Sequence, residues 1–170
     1  RDPATDYIAL VEPGGRRLSK DGTVTGARAA RSPQMPAYHL VRDRHQGITI
    51  VDIGVGPSNA KTITDHVAVL RPNSWIMLGH CAGLRKTQRL GDYVLAHAYH
   101  RADHVLDADL PVWVPIPALA EVQQALEQAV AEVTGLDERD VKQVMRTGTV
   151  ASTDNRNWEL RFDELFRRLS

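Results

Sequence analysis

Three stretches of this sequence combine glycine or small polar residues with groups able to bind a ligand, and each directly follows an apolar run. The first is Gly54-Val55-Gly56-Pro57-Ser58. Its two glycines let backbone approach a ligand closely, and Ser58 is placed to cap a following helix whose first amides would face an anion. A strand-to-helix turn with no ligand fits the same residues. Asn59 stands where a dinucleotide fingerprint would continue towards its third glycine, and no Gly-Lys-Ser of a phosphate loop is present. The second stretch is Gly79-His80-Cys81-Ala82-Gly83. A side chain held between glycines can point into a cleft, so His80 and Cys81 offer a thiol nucleophile or part of a metal site. The first needs a partner in space and the second needs more ligands at recognisable spacing.

The third stretch runs from Ser152 and Thr153 through Asp154, Asn155 and Arg156 to Trp158. It supplies hydrogen-bond acceptors, donors and a flat apolar face, which is what edge recognition and stacking of a purine require. A polar turn with Trp158 in the core is the plain alternative. His97, His100 and His104, with Asp103 and Asp107, form a further cluster that reads as a solvated strand end, and no metal is assigned to it.

These loops need strands and helices to hold them. Tyr7 to Val11 reads as a short strand, and residues 12–36, rich in glycine and proline, read as turn and loop. Ile48 to Ile53 is a β-branched run that predicts a buried strand, followed by a helical pattern through Ala60, Ile63, Val67 and Leu70. Trp75 to Leu78 and Tyr93 to Tyr99 predict two more strands. Pro117 to Thr134 predicts a helix, with apolar Leu119, Val122, Leu126, Val130 and Val133 and with Gly135 just beyond its end. A strand at Val144 to Ala151 and an amphipathic segment with Leu160, Phe162, Leu165, Phe166 and Leu169 complete the chain. Strand-helix-strand order implies an α/β sheet, where ligands collect at the carboxyl ends of strands. All three loops would then line one cleft.

The 170 residues, 42% hydrophobic, suffice for one ordinary domain. Lys plus Arg and Asp plus Glu number 21 each, so no broad electrostatic grip on nucleic acid or membrane is expected, and any anion site must be local. A single cysteine, Cys81, excludes an internal disulfide and suits a reducing compartment. With no long apolar run, the cytoplasm is the expected location. The opening Arg-Asp-Pro-Ala-Thr-Asp has neither a secretory pattern nor an initiator Met, so the chain is expected to be part of a longer protein.

Three longer runs embed the loops: residues 51–66 (Val-Asp-Ile-Gly-Val-Gly-Pro-Ser-Asn-Ala-Lys-Thr-Ile-Thr-Asp-His), 78–85 (Leu-Gly-His-Cys-Ala-Gly-Leu-Arg) and 146–159 (Arg-Thr-Gly-Thr-Val-Ala-Ser-Thr-Asp-Asn-Arg-Asn-Trp-Glu). Together and in this order they resemble the AMP nucleosidase family, and the resemblance extends from about Asp2 to the end. It implies a nucleoside phosphorylase-like fold, a three-layer α/β/α sandwich around a mixed, partly barrel-like sheet truncated at its C-terminus. Residues 1–36 would be a junction with an upstream region, and 37–170 the first part of the catalytic domain.

The implied reaction is hydrolysis of the N-glycosidic bond of AMP to adenine and ribose 5-phosphate, a step of purine salvage. By resemblance, the loops at 54–58 and 79–83 surround the ribose and its phosphate or water side, while 152–158 takes the purine side. The catalytic residues, a ribose-binding Met-Glu pair and an aspartate assisting the leaving purine, are expected downstream of Ser170. No cofactor is required for the chemistry; ATP-Mg as activator and a homohexameric assembly are implied by the resemblance alone. Related phosphorylases carry an arginine for the attacking phosphate at the position of Met77. An apolar side chain cannot compensate that dianion, so water is the expected nucleophile. A phosphorylase-type transferase and a non-catalytic nucleotide-binding fragment are the alternatives.

Overall fold

The structure is a computed structural model that describes residues 6–114 and 116–169. The opening residues 1–5 and the final Ser170, on which expectations about a longer protein rest, lie outside the described residues. The chain divides into two compact units, one ending at Val55 and the other beginning at Gly56.

The first unit is an antiparallel sheet of five strands: β1 (Ala9–Val11), β2 (Arg17–Ser19), β3 (Val24–Thr25), β4 (Ala37–Val41) and β5 (Gly47–Val51), in spatial order β3-β2-β1-β4-β5. Strands β2 and β3 lie within the segment 12–36 that the sequence presents as loop. Each has only two or three residues, too few to show alternation, and the glycines that mask them make the turns between them. Gly22, at φ 86°, closes the β2–β3 turn, where the Asp21 carboxylate accepts the Thr23 amide at 2.9 Å. That bond holds the Asp21 carboxyl below its ordinary value. Strand β5 falls where Ile48, Thr49, Ile50 and Val51 predict a strand, but it is not the buried strand expected: it is the edge of the sheet, paired antiparallel with β4, and leaves Ile48 and Ile50 exposed.

The second unit opens with α1 (Pro57–Val67), which continues into a single 3-10 turn at Ala68–Leu70 and stops at Arg71 in the left-handed conformation. Strand β6 (Tyr93–Arg101) pairs in parallel with β7 (Met145–Ser152), and the crossover between them carries α2 (Ala120–Thr134) and α3 (Glu138–Val144). Helix α2 starts three residues later than Pro117 suggests. Pro117 instead bridges Ala98, and the Ala118 amide donates to the His97 carbonyl at 3.2 Å, where β6 carries a bulge. Gly135, at φ 69°, ends α2 as expected. Helix α3 is short and capped by Asp137, whose carboxylate accepts the Arg139 and Asp140 amides, each at 2.9 Å. A 3-10 helix at Arg156–Arg161 leads into α4 (Phe162–Leu169).

The core of this unit is small: Leu95 of β6, Val141 of α3 and Met145 of β7 are buried, with Leu126, Val130, Ala131 and Leu136 packed against them. The chain exposes 13751 Å². Two compact bodies of one third and two thirds of its 18.8 kDa would expose about 9,900 Å². The excess includes apolar side chains of Trp75, Met77, Leu78, Tyr93 and Trp113.

Two expectations are corrected. Trp75 to Leu78 is not a strand but exposed chain without a ladder, because a strand exists only through hydrogen bonds to a neighbour and none lies alongside this segment among the described residues. The single mixed, partly barrel-like sheet is likewise replaced by two separate sheets, one antiparallel and one parallel, and neither is a closed barrel.

Candidate functional site

The first loop enters the N-terminal end of α1 with unusual backbone. Gly54 has φ 69°, and Gly56, which precedes the helix, has φ 108° and ψ 151°, a region open essentially to glycine alone. A Cβ on Gly56 would meet nothing within 4 Å, so the constraint is conformational and not steric. The Asp52 carboxylate accepts the Gly54 amide at 2.9 Å and shapes the turn. Ser58 does not cap α1, contrary to the expectation: the cap position is Gly56, with no side-chain bond, and Ser58 is already inside the first turn beside Pro57. No acidic residue occupies that turn, so nothing there opposes an approaching anion.

Gly79, His80, Cys81, Ala82 and Gly83 are exposed and lie outside regular structure. Cys81 is a free thiol. Gly83 packs on the Gln88 side chain, whose amide oxygen accepts the Arg85 backbone amide at 2.9 Å. This turn is fixed to the start of β7 by Arg146, which donates to the Thr87 carbonyl at 3.1 Å and stands 3.9 Å from the Asp92 carboxylate.

The third loop leaves the other end of β7. Ser152 and Thr153 are half-buried, and Asp154, Asn155 and Arg156 are exposed. Thr153 accepts the Asn155 amide at 3.2 Å, and the Asn155 side chain accepts the Asn157 amide at 3.0 Å, capping the 3-10 helix. Arg156 stands 3.6 Å from the Glu159 carboxylate, and Trp158 is half-buried. Arg146 and Ser152 are about 20 Å apart along β7 at the usual strand rise. No hydrogen bond or ion pair joins residues 79–83 to 152–158 among the described residues.

What gathers around the third loop is a segment that sequence reading assigned to surface. Arg101 ends β6 level with Ser152 of β7, so the strap 102–114 leaves the same end of the parallel pair as the 152–158 loop. The His104 imidazole is 2.6 Å from the Asp107 carboxylate, and Asp154 and Asp103 lie near enough to act on it as well. The hydrogen bond to Asp107, then its charge, and then Asp154 and Asp103 raise His104 above the ordinary histidine value of 6.5. On its other side the strap meets α1: Lys61 lies 2.7 Å from Asp65 and 3.8 Å from Asp109. The strap thus pairs with α1 through Asp109, and its His104 lies within the electrostatic reach of Asp154. The signal for it was the dense run Arg101, Asp103, His104, Asp107 and Asp109 directly after a strand. His97 is the extra residue of the β6 bulge, and both it and His100 are exposed. No group of three or more His, Cys, Asp or Glu converges as a metal site among the described residues, and no described helix is long and apolar enough to cross a membrane. In the first unit, a groove of about 260 Å³ lined by Glu12, Pro13, Arg28, Ala29, Ser32 and Tyr38 contains none of the candidate residues.

The raised His104 value has a testable consequence. The charged pair with Asp107 contributes fully below the ordinary histidine value and is lost as pH rises through the raised one. An NMR titration should place the His104 midpoint above 6.5, and Asp107→Asn should lower it. A midpoint at or below 6.5 would remove the pair from the site.

Parallel strands joined by a helical crossover, with polar loops leaving their carboxyl ends, define an α/β protein of the class in which ligands collect at that edge. The chain belongs to the phosphorylase superfamily, whose sequence profile matches residues 29–169. It is 56% identical over 165 residues to proteins named AMP nucleosidase from Escherichia coli K12 and O157:H7, covering 95% of this chain and 34% of theirs. The chain thus spans about a third of the length of these curated relatives. The crystal structure of AMP nucleosidase from Bacteroides thetaiotaomicron superposes with a TM-score of 0.63 at 31% identity, over 80% of this chain and 55% of that one. Purine nucleoside phosphorylase from Toxoplasma gondii, crystallised with immucillin-H, matches with a TM-score of 0.60 at 23% identity, over 76% and 49%, and shares the fold.

Proposed function

We propose that the protein containing this chain hydrolyses the N-glycosidic bond of AMP, giving adenine and ribose 5-phosphate. The observation that carries this reading is the 56% identity over 95% of the chain to proteins named for that activity. The site has features that suit it. Cleaving the bond leaves an oxocarbenium-like ribose and an anionic purine, so the protein must hold the sugar phosphate, protonate the base and position water. The uncapped start of α1, free of acidic side chains, is the place for the phosphate. Asp154, Asn155 and Arg156, with the indole of Trp158, offer edge bonds and a face for the purine. Gly79 to Gly83, with His80 and Cys81, are assigned to the ribose and water side on resemblance, as are a homohexameric assembly, ATP-Mg activation and a cytoplasmic location.

Water is the proposed nucleophile on the resemblance alone, because Met77 falls in sequence at the position where related phosphorylases carry an arginine for the attacking phosphate. With AMP in phosphate buffer, the full-length protein should yield ribose 5-phosphate. Accumulation of ribose 1,5-bisphosphate would establish a phosphorylase instead.

A further inference from the structure

We propose that Arg101 is a positioning residue of the candidate site, fastening the strap 102–114 so that the strap holds α1 and the Asp154 loop at one end of the β6–β7 pair. The part of this that concerns AMP rests on the proposed function; the clamp itself does not. Arg101 is the last residue of β6 and only 7% exposed. Its Nη2 donates to the Pro111 carbonyl at 2.6 Å and to the Val114 carbonyl at 3.4 Å, while Nη1 donates to the Leu110 carbonyl at 3.3 Å. One planar guanidinium thus gathers the far end of the strap onto the strand from which the strap departs.

Ala102 donates to the His100 carbonyl of β6 at 3.2 Å where the strap departs, and Ala118 donates to the His97 carbonyl just beyond it, but apart from the Arg101 bonds none of the described hydrogen bonds ties residues 103–114 to β6. Val105 donates to Asp103, Asp109 to the Leu106 carbonyl at 3.0 Å, and Leu110 to the same carbonyl at 2.7 Å, so they coil the strap upon itself without tying it to β6. Its outward interactions are the pairing of half-buried Lys61 with exposed Asp109 and the pull of the exposed Asp154 charge on His104, both of which water and salt screen. Arg101 is the buried attachment. If it lets go, the His104–Asp107 pair and Asp109 lose their fixed places relative to Asp154 and Lys61, although the Arg101 guanidinium bonds only to the carbonyls of residues 110, 111 and 114. A lysine in its place has a single ammonium, which cannot span three carbonyls with the fixed fork of a guanidinium.

The test compares full-length wild type with Arg101→Lys and Arg101→Met by hydrogen exchange and by AMP cleavage. Arg101→Lys should speed exchange of amides within 102–114, with α2 and β7 amides unchanged. Its kcat/KM for AMP should fall, and Arg101→Met should lose more, about 10²-fold, as expected for a displaced site. Unchanged exchange in the strap would overturn the clamp. Local loosening with unchanged kcat/KM would overturn its role in the site. Loosening spread over the whole protein, with activity tracking the folded fraction, would reduce Arg101 to a general stabilising residue and also overturn the proposal. If wild type itself releases no adenine, the proposed function fails, and the exchange arm still decides the clamp.

Discussion

Supplied with AMP, the 170-residue chain by itself is expected to release adenine about 10² to 10⁴ times more slowly than the full-length protein, the usual contribution of a well-placed general acid. Adenine is a poor leaving group and needs a proton as the bond breaks. A carboxyl group that keeps its proton near neutral pH does so in an apolar surrounding. The strand-end carboxylates described here are each bonded elsewhere or open to water. Asp107 is engaged with His104 at 2.6 Å, Asp103 accepts the Val105 amide at 2.9 Å, and Asp154 is exposed. The measurement is adenine release by both proteins under identical conditions. Release by the chain alone within tenfold of the full-length rate would show that the acid lies inside it. Asp154 would then be the residue to change first, and Asp154→Asn should abolish the activity.

In the full-length protein, Leu95→Ala should destabilise the fold by about 2 to 5 kcal/mol, the cost of a cavity at a buried leucine. Leu95 is 8% exposed and meets Val141 and Met145, the only other buried apolar side chains of its cluster, so the space can be filled only by moving a neighbouring helix or strand. With so few buried residues in this unit, loss at Leu95 also loosens the strand that ends in Arg101. Val133→Ala provides the contrast: it lies on α2 but is 83% exposed, and its change should fall within about 0.5 kcal/mol. Urea unfolding of the two variants measures the difference. Equal midpoints would mean that the β6–β7 pair takes its stability from contacts other than this cluster.

Much of the scaffold was written locally. The β-branched run at 48–51 forms β5, Tyr93 and Met145 begin the parallel strands close to where their apolar runs begin, and Gly135 stops α2. Such signals need only neighbours a few residues away, as do the polar loops that follow the strands. Helix α3 was missed because its seven residues barely complete two turns, although Asp137 two residues after Gly135 is a capping signal.

The sequence by itself determined that these are α/β elements and offered three loops as candidates for the chemistry, and its long runs pointed to a nucleotide-cleaving family. Only the tertiary structure decided that Trp75 to Leu78 has no ladder, that Gly56 and not Ser58 caps α1, and that a strap of supposed surface residues brings Asp109 within 3.8 Å of Lys61 and His104 within electrostatic reach of Asp154. Period and capping are properties of a few consecutive residues, whereas a strand needs a partner and a site needs side chains from distant segments. Arg101 shows the difference: an arginine at the end of an apolar strand reads as surface, and its burial against the carbonyls of residues 110, 111 and 114 exists only once the chain has turned back upon it.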